Sequence, residues 1–287
     1  MLRKLPSSVI LSATLMLGAA HLCAQSTKQG KFNIARGGIL NVFDNAGSIT
    51  VHAATGQQLI VSSTPHSPKV EVDSSSTPDG RRVEIRAHAL PQQKPNNDEA
   101  KVDIDIGLPP GVAVTINAAT APITVENVSG DLTLSSDTGQ VTLRNVTNSH
   151  VLVKGIAAPI SLTNMTGGFV DITSNSGAVQ LANVSGNKVS VNTASGNISF
   201  QGDCSGGGNY VMITHNGAID VFLPQTASVD LTARSITGSV ENDFPLQAKT
   251  HTSFVPDAGR SFAGTSNSGS SSVELQSFSG RIRVKKQ

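Results

Sequence analysis

From Ala121 to Gly217 the chain repeats itself about every 19 residues. Written out, the units are APITVENVSGDLTLSSDTG, GQVTLRNVTNSHVLVKGIA, APISLTNMTGGFVDITSNSG and GAVQLANVSGNKVSVNTASG. Each opens with a small residue, one variable residue and an aliphatic-x-aliphatic triplet. The starts fall at Ala121, Gly139, Ala158, Gly177, Gly196, Gly217 and Gly238, at spacings of 18, 19, 19, 19, 21 and 21. Self-similarity at a fixed period marks a solenoid, because so short a unit cannot bury its apolar face except against its neighbours.

Every unit carries two runs with the period-2 alternation of a half-buried strand. In the first runs the inward pairs are Ile123/Val125, Val141/Leu143, Ile160/Leu162, Val179/Leu181 and Ile198/Phe200. In the second they are Leu132/Leu134, Val151/Val153, Val170/Ile172, Val189/Val191 and Val211/Ile213. Stacked coils of this kind make two parallel sheets around an aliphatic interior, and the crossover preference favours right-handed coiling. The expected fold is therefore all-β: a single-stranded parallel β-solenoid of about 19-residue two-strand coils with an irregular β N-terminal cap.

Before the repeats, KFNIA, GILNV, GSITV and QQLIV alternate as short strands, and KVEVD and RRVEIRAH flank a turn at Ser76–Gly80 as a hairpin. Residues 89–100, with two prolines and no periodicity, read as an exposed loop. Prolines mark corners at Leu108-Pro109-Pro110-Gly111 and again at Leu223-Pro224. After Gly238 the regularity lapses into a longer excursion, and residues 259–272 read as a flexible loop before the closing runs VELQSF and GRIRV. Arg281, Arg283, Lys285 and Lys286 then fall where an exposed sheet edge is expected, as charges that discourage edge-to-edge stacking. The chain divides into an export signal (1–24), an irregular β N-terminal part of the same domain (25–118) and a repetitive solenoid with C-terminal closing strands (119–287).

Arg3 and Lys4 supply the basic start of that signal, and Val9 to Ala20 its apolar stretch of about 12 residues, too short to span a bilayer. His21-Leu22-Cys23-Ala24 forms the cleavage region before Gln25, and His21-Leu22 are poor residues for a lipoprotein signal. The expected address is periplasmic or extracellular, with Cys204 the one cysteine left after cleavage and no disulfide. A net charge of +1 over the whole chain gives no field for nucleic acid. One tyrosine, nine phenylalanines and no tryptophan suit thin, repetitive β-structure.

Asparagine is the most regular polar residue. Asn127, Asn145, Asn164 and Asn183 recur at one place in successive units, as a structural ladder of side-chain amides at a buried turn. These sites, like Asn197, also match N-x-[ST], which reads as a by-product of the next turn's Ser or Thr. The outward row Thr124, Thr142, Ser161, Gln180, Ser199 and Asp220 decays too soon for an ice-binding face and reads as solvated surface. Asp103 and Asp105 share one strand face without a third ligand, and the histidines show no HxH or HExxH spacing. No metal, cofactor or catalytic residue is expected. For the alternative of a carbohydrate-active enzyme on a β-helical scaffold, Asp98, Glu99 and Asp257 would have to meet in one groove.

A family resemblance is carried by Ile106-Gly107-Leu108-Pro109-Pro110-Gly111-Val112, by the small-x-aliphatic units and by GAIDVFLP from Gly217 to Pro224. It continues through Thr237-Gly238-Ser239-Val240, Asn242-Asp243-Phe244-Pro245 and Phe278-Ser279-Gly280-Arg281-Ile282-Arg283-Val284. From Lys31 onward the chain resembles a bacterial domain-of-unknown-function family labelled putative adhesin, related to auto-transporter adhesin head domains. The resemblance implies a single-stranded β-solenoid in an exported, non-enzymatic protein that binds an envelope, glycan or protein surface. A structural part in envelope assembly or stress signalling is the remaining alternative.

Overall fold

In the computed structural model, which describes residues 26–204, 207–249 and 257–287, every regular element is a β-strand. Residues 1–24, expected as an export signal and including Cys23, lie outside the described residues. Two parallel ladders run the length of the molecule. The first passes through Arg82–Ala89, Ile39–Asp44, Ala113–Ala118 and Leu132–Ser136, then the later halves of Val141–Gly155 and Ile160–Ser174. It goes on through Lys188–Thr193, Asn209–Thr214, Ser271–Ser277 and Val229–Ser235. The second begins with Val102–Leu108, Gly47–Ala53 and Ile123–Glu126, followed by the early halves of the same two long strands. Val179–Ser185, Ile198–Gln201, Ile219–Leu223, Ile282–Lys286 and Val240–Asn242 complete it. One buried aliphatic cluster draws on both ladders. The chain is a β-solenoid of stacked two-strand coils.

Chain order and spatial order part company at both ends. Ile39–Asp44 lies between Arg82–Ala89 and Ala113–Ala118, so the first coil is held on both sides. The last coil is likewise inserted, Ser271–Ser277 between Asn209–Thr214 and Val229–Ser235. Ile282–Lys286 accordingly pairs with Ile219–Leu223 on one side and Val240–Asn242 on the other. The expectation that Arg281, Arg283, Lys285 and Lys286 decorate an edge is therefore corrected: their strand is interior, and Arg283 grips both carboxylate oxygens of Asp220 at 2.6 and 2.7 Å. Antiparallel strands close the stack. Val70–Ser76 covers Arg82–Ala89, and Leu59–Pro65 covers Val102–Leu108 and carries Lys28–Phe32 outside it. At the other end Ser261–Thr265 covers Val229–Ser235, so the segment expected as a flexible loop holds a strand, whose Ser261 and Ala263 turn inward.

A second correction concerns register. Val189 pairs with Tyr210, so Tyr210 and Met212 are buried and Val211 and Ile213 face outward, one step from the expected phase. The 21-residue unit places two extra residues in the corner before this strand, and YVMI is apolar in either phase. Cys204, in that corner, is buried and free.

One corner of the coil is built on a Ser/Thr-x-x-Gly pattern. Ser136 donates to the Gly139 carbonyl at 2.7 Å, and the amides of Gly196, Gly217 and Gly280 donate to Thr193, Thr214 and Ser277 at 2.7, 2.9 and 2.8 Å. The hydroxyls also reach the neighbouring coil, Thr214 to the Gly196 carbonyl and Ser235 to that of Gly280. Here successive coils come so close that a Cβ on Gly196 or Gly217 would stand 2.1 or 2.0 Å from the carbonyl oxygen of the coil beneath. Backbone cannot yield as a flexible side chain can. Asp44 occupies this row in the inserted N-terminal coil, next to Ala118 and then Ser136. It is 2% exposed; Oδ1 accepts from the Ala46 amide at 3.3 Å and Oδ2 has no partner. Burial, offset in part by the Ala46 hydrogen bond and reinforced by the charge on Asp103, pushes its pKa up to about 7.

Two outcomes follow from these corners. Gly196→Ala lowers unfolding stability by about 3 kcal/mol or more, whereas Gly56→Ala, whose Cβ would meet nothing within 4 Å, leaves it nearly unchanged; paired urea titrations compare them. Asp44 ionises near 3.8 when unfolded and near 7 when folded. The folded chain thus holds the extra proton between those values, and stability falls as pH rises across that window. Asp44→Asn removes the slope and stabilises the protein at pH above 7 by about 2–4 kcal/mol, read as melting temperature against pH.

Candidate functional site

The four repeat asparagines stack in line at the opposite corner. Asn145 Nδ2 donates to Asn127 Oδ1 at 2.9 Å, Asn164 to Asn145 at 3.2 Å and Asn183 to Asn164 at 3.2 Å. The turn is exposed rather than buried. Each asparagine has φ between 54° and 57°, the left-handed region that Asn tolerates better than other non-glycine residues. That bend drops the following residue, Val128, Val146, Met165 or Val184, into the core. The apolar neighbour therefore fills the interior, and the amide is left at the surface.

On the second ladder the outward row runs in register from Thr124 through Thr142, Ser161, Gln180 and Ser199 to Asp220. Asp103 and Asp105 each meet a histidine, His66 at 2.6 Å and His52 at 3.2 Å, and Ser48 donates to Asp103 at 2.6 Å. Partial burial works to raise the Asp103 pKa, but the hydrogen bonds from Ser48 and His66 outweigh it and hold the carboxyl below its usual range. Asp98, Glu99 and Asp257 do not come together. Asp98 and Glu99 are paired with Lys101 and Lys69 near the N-terminal end of the stack, while Asp257 precedes the strand that covers the C-terminal end. The Lys69 hydrogen bond keeps Glu99 below the usual carboxylate range, the wrong direction for a general acid. Glu71, Asp73 and His88 place three ligand-type atoms within 4.8 Å of one another on the N-terminal hairpin, where His88 Nε2 pairs with Glu71 at 3.3 Å.

The concavity that stands out lies on the first ladder, a trough of about 660 Å³ along the solenoid axis. One side is the outward row Thr173, Asn192, Ile213, Gln276 and Arg234, each paired to the next across adjacent strands. The other is a lip of corner residues, among them Asn175, Ala194, His215, Phe278 and Ile236. The lip is set by backbone rungs: Asn175 N–H donates to Gly155, Ala194 to Ser174, His215 to Thr193 and Ile236 to Ser277. Between the sides lie the buried hydroxyls of the Ser/Thr-x-x-Gly corner. His215 and Phe278 stack with centroids 4.7 Å apart and planes 13° from parallel. Ile156, Ile236 and Phe278, in the row of corner positions that forms the lip, are 54%, 48% and 42% exposed.

None of these residues emerged as a candidate from the sequence. Ile213 was expected to face inward, and Phe278 joins His215 only because the last coil is inserted beside the coil of Asn209–Thr214. The available signal was the recurrence of large apolar residues directly after the corner Ser or Thr, as in Ser235-Ile236 and Ser277-Phe278.

The model of the Toastrack DUF4097 family matches residues 40–285. The chain belongs to this family. No curated protein matches it. Among solved structures, a putative adhesin from Bacteroides fragilis NCTC 9343 is 10% identical with a TM-score of 0.45, covering 92% of this chain and 98% of that one. A putative adhesin from Parabacteroides distasonis ATCC 8503 is 11% identical with a TM-score of 0.43, with 92% and 98% covered. A putative cell adhesion protein from Clostridium sporogenes ATCC 15579 is 13% identical with a TM-score of 0.35, with 91% and 100% covered.

The asparagine corner has a direct test. Asn145→Ala loses two amide contacts and places Ala in the left-handed region, lowering stability by about 1–3 kcal/mol, while Thr142→Ala on the outward row changes it by less than about 0.5 kcal/mol. Asn145→Gly, which relieves the backbone but not the ladder, falls between them in thermal unfolding.

Proposed function

We propose that this chain is an exported, non-enzymatic binding scaffold of the adhesin type, which presents its trough-bearing face to another surface in the periplasm or outside the cell. The observation that carries the reading is the pair of exposed side chains Phe278 and Ile236, on adjacent rungs beside a concave strip. Clustered exposed apolar side chains next to a concavity mark interaction sites, whereas scattered single ones do not. The stacked coils add the rigidity that such recognition uses, since every lip residue is fixed by a backbone rung to the coil beneath. Export is supported by Arg3, Lys4 and the apolar run that follows them. No helix among the described residues is long and apolar enough to cross a membrane.

The test uses protein recovered after export and an immobilised envelope fraction from the producing cell. Capture is saturable, exceeds that of a charge-matched control protein, and drops about tenfold in Ile236→Lys, while Thr142→Ala on the opposite face retains it. Folded protein that is captured no better than the control overturns the reading, as does capture indifferent to Ile236→Lys.

A further inference from the structure

The trough has a chemistry that selects among ligands. Neighbouring strands lie about 4.8 Å apart, so the five outward side chains from Thr173 to Arg234 extend over roughly 20 Å, one per rung. An extended peptide advances about 3.3 Å per residue and falls out of step with such rungs. A hexose unit in a linear polysaccharide is close to one rung in length, so successive sugars would meet successive strands in the same way.

The side chains suit sugars individually. Phe278 and Ile236 offer exposed apolar surface at the lip, as the C–H faces of pyranose rings require. Asn192 presents a planar amide that can donate to one hydroxyl and accept from its neighbour, and Gln276, whose Nε2 donates to Glu274, keeps its Oε1 and its second N–H for a ligand. Charge narrows the class further. No carboxylate lines the trough itself, Glu274 beside it being held by Gln276, and the Arg234 guanidinium at its C-terminal end makes no ion pair among the described residues. A planar guanidinium free of a protein partner is a matched seat for a carboxylate. Nucleic acid would call for a track of cations along the strip, and the remaining outward residues, Thr173, Asn192, Ile213 and Gln276, are neutral.

We propose that this trough binds a linear glycan bearing carboxylates, such as a polyuronate, laid along the solenoid axis. Phe278 and Ile236 contact its sugar rings, Asn192 and Gln276 its hydroxyls, and Arg234 a carboxylate. The assignment rests on the reading of the chain as an exported binding scaffold and names the ligand class of that same face.

Titration calorimetry with a short oligogalacturonate, and with its methyl-esterified form, tests it on the folded protein. The acidic form binds saturably and about tenfold more tightly than the ester. Arg234→Gln abolishes that preference while sparing the ester. Phe278→Ala weakens both forms about tenfold, and Thr142→Ala weakens neither; melting temperatures confirm that all variants are folded. Binding that survives both Arg234→Gln and Phe278→Ala overturns the site, and equal affinity for acid and ester overturns the charge assignment. If a panel of acidic oligosaccharides gives no heat while capture by the envelope fraction still depends on Ile236, the ligand class is wrong and the scaffold reading stands. Loss of both signals removes the scaffold reading as well.

Discussion

The close approach of backbone to backbone at the Ser/Thr-x-x-Gly corner governs the rest of this molecule. Parallel strands repeat at a constant interval, and at this corner the carbonyl of one coil occupies the space where a Cβ of the next would stand. The small residue that opens each unit is therefore a steric demand of stacking. Two units depart from glycine, and each does so where the corner hydroxyl is missing. Where the unit opens with Ala121 or Ala158, the residue three places earlier is Ala118 or Gly155, with no hydroxyl to accommodate. A Cβ on Gly155 would lie 3.4 Å from the Ala158 methyl, so the methyl has taken up the room that a serine side chain uses elsewhere.

A stack of identical coils leaves an open edge at each end, which is an invitation to further pairing. This chain answers in the same way twice. It builds an outer coil from a later stretch at one end and from an earlier stretch at the other, slides the terminal coil inside it, and covers the outer coil with antiparallel strands. Neither inserted coil can leave without breaking two parallel ladders. Both insertions are contacts of long sequence separation, and such contacts are the slow ones to form. The central coils, paired to their chain neighbours, carry no comparable loop-closure burden.

Much of the architecture was legible because the repeat and the period-2 alternation are local. Ile160/Leu162 and Val170/Ile172 turn inward as their spacing requires, and the prolines at Pro109-Pro110 and Pro224 fall at corners between strands. The order of coils at the ends was not legible, because no local pattern distinguishes a strand at the edge from one inserted beneath it. Phe278 lies 63 residues from His215 in sequence, and nothing near either residue announces the other. The phase of Asn209–Thr214 was lost for a different reason: apolar residues occupy both sides of that strand, so alternation ceases to discriminate. The asparagine row was visible, but its burial depended on which member of the Asn-Val pair faces inward, and a left-handed φ at Asn decides that.

The inserted C-terminal coil and the strand Asn209–Thr214 adjoin in space. Regular rungs present the same small hydroxyls in succession, as the outward row of the second ladder does at Thr124, Thr142 and Ser161, and a uniform surface discriminates poorly among ligands. Distinct side chains meet only where the repeat is broken. Insertion of Ser271–Ser277 sets His215, Phe278 and Ile236, from three separate stretches of chain, in adjacent rungs of one lip, and Asn209–Thr214, in phase with its neighbours, turns Ile213 out beside them. The device that closes the C-terminal end of the solenoid thereby also gives one strip of its surface an individual chemistry.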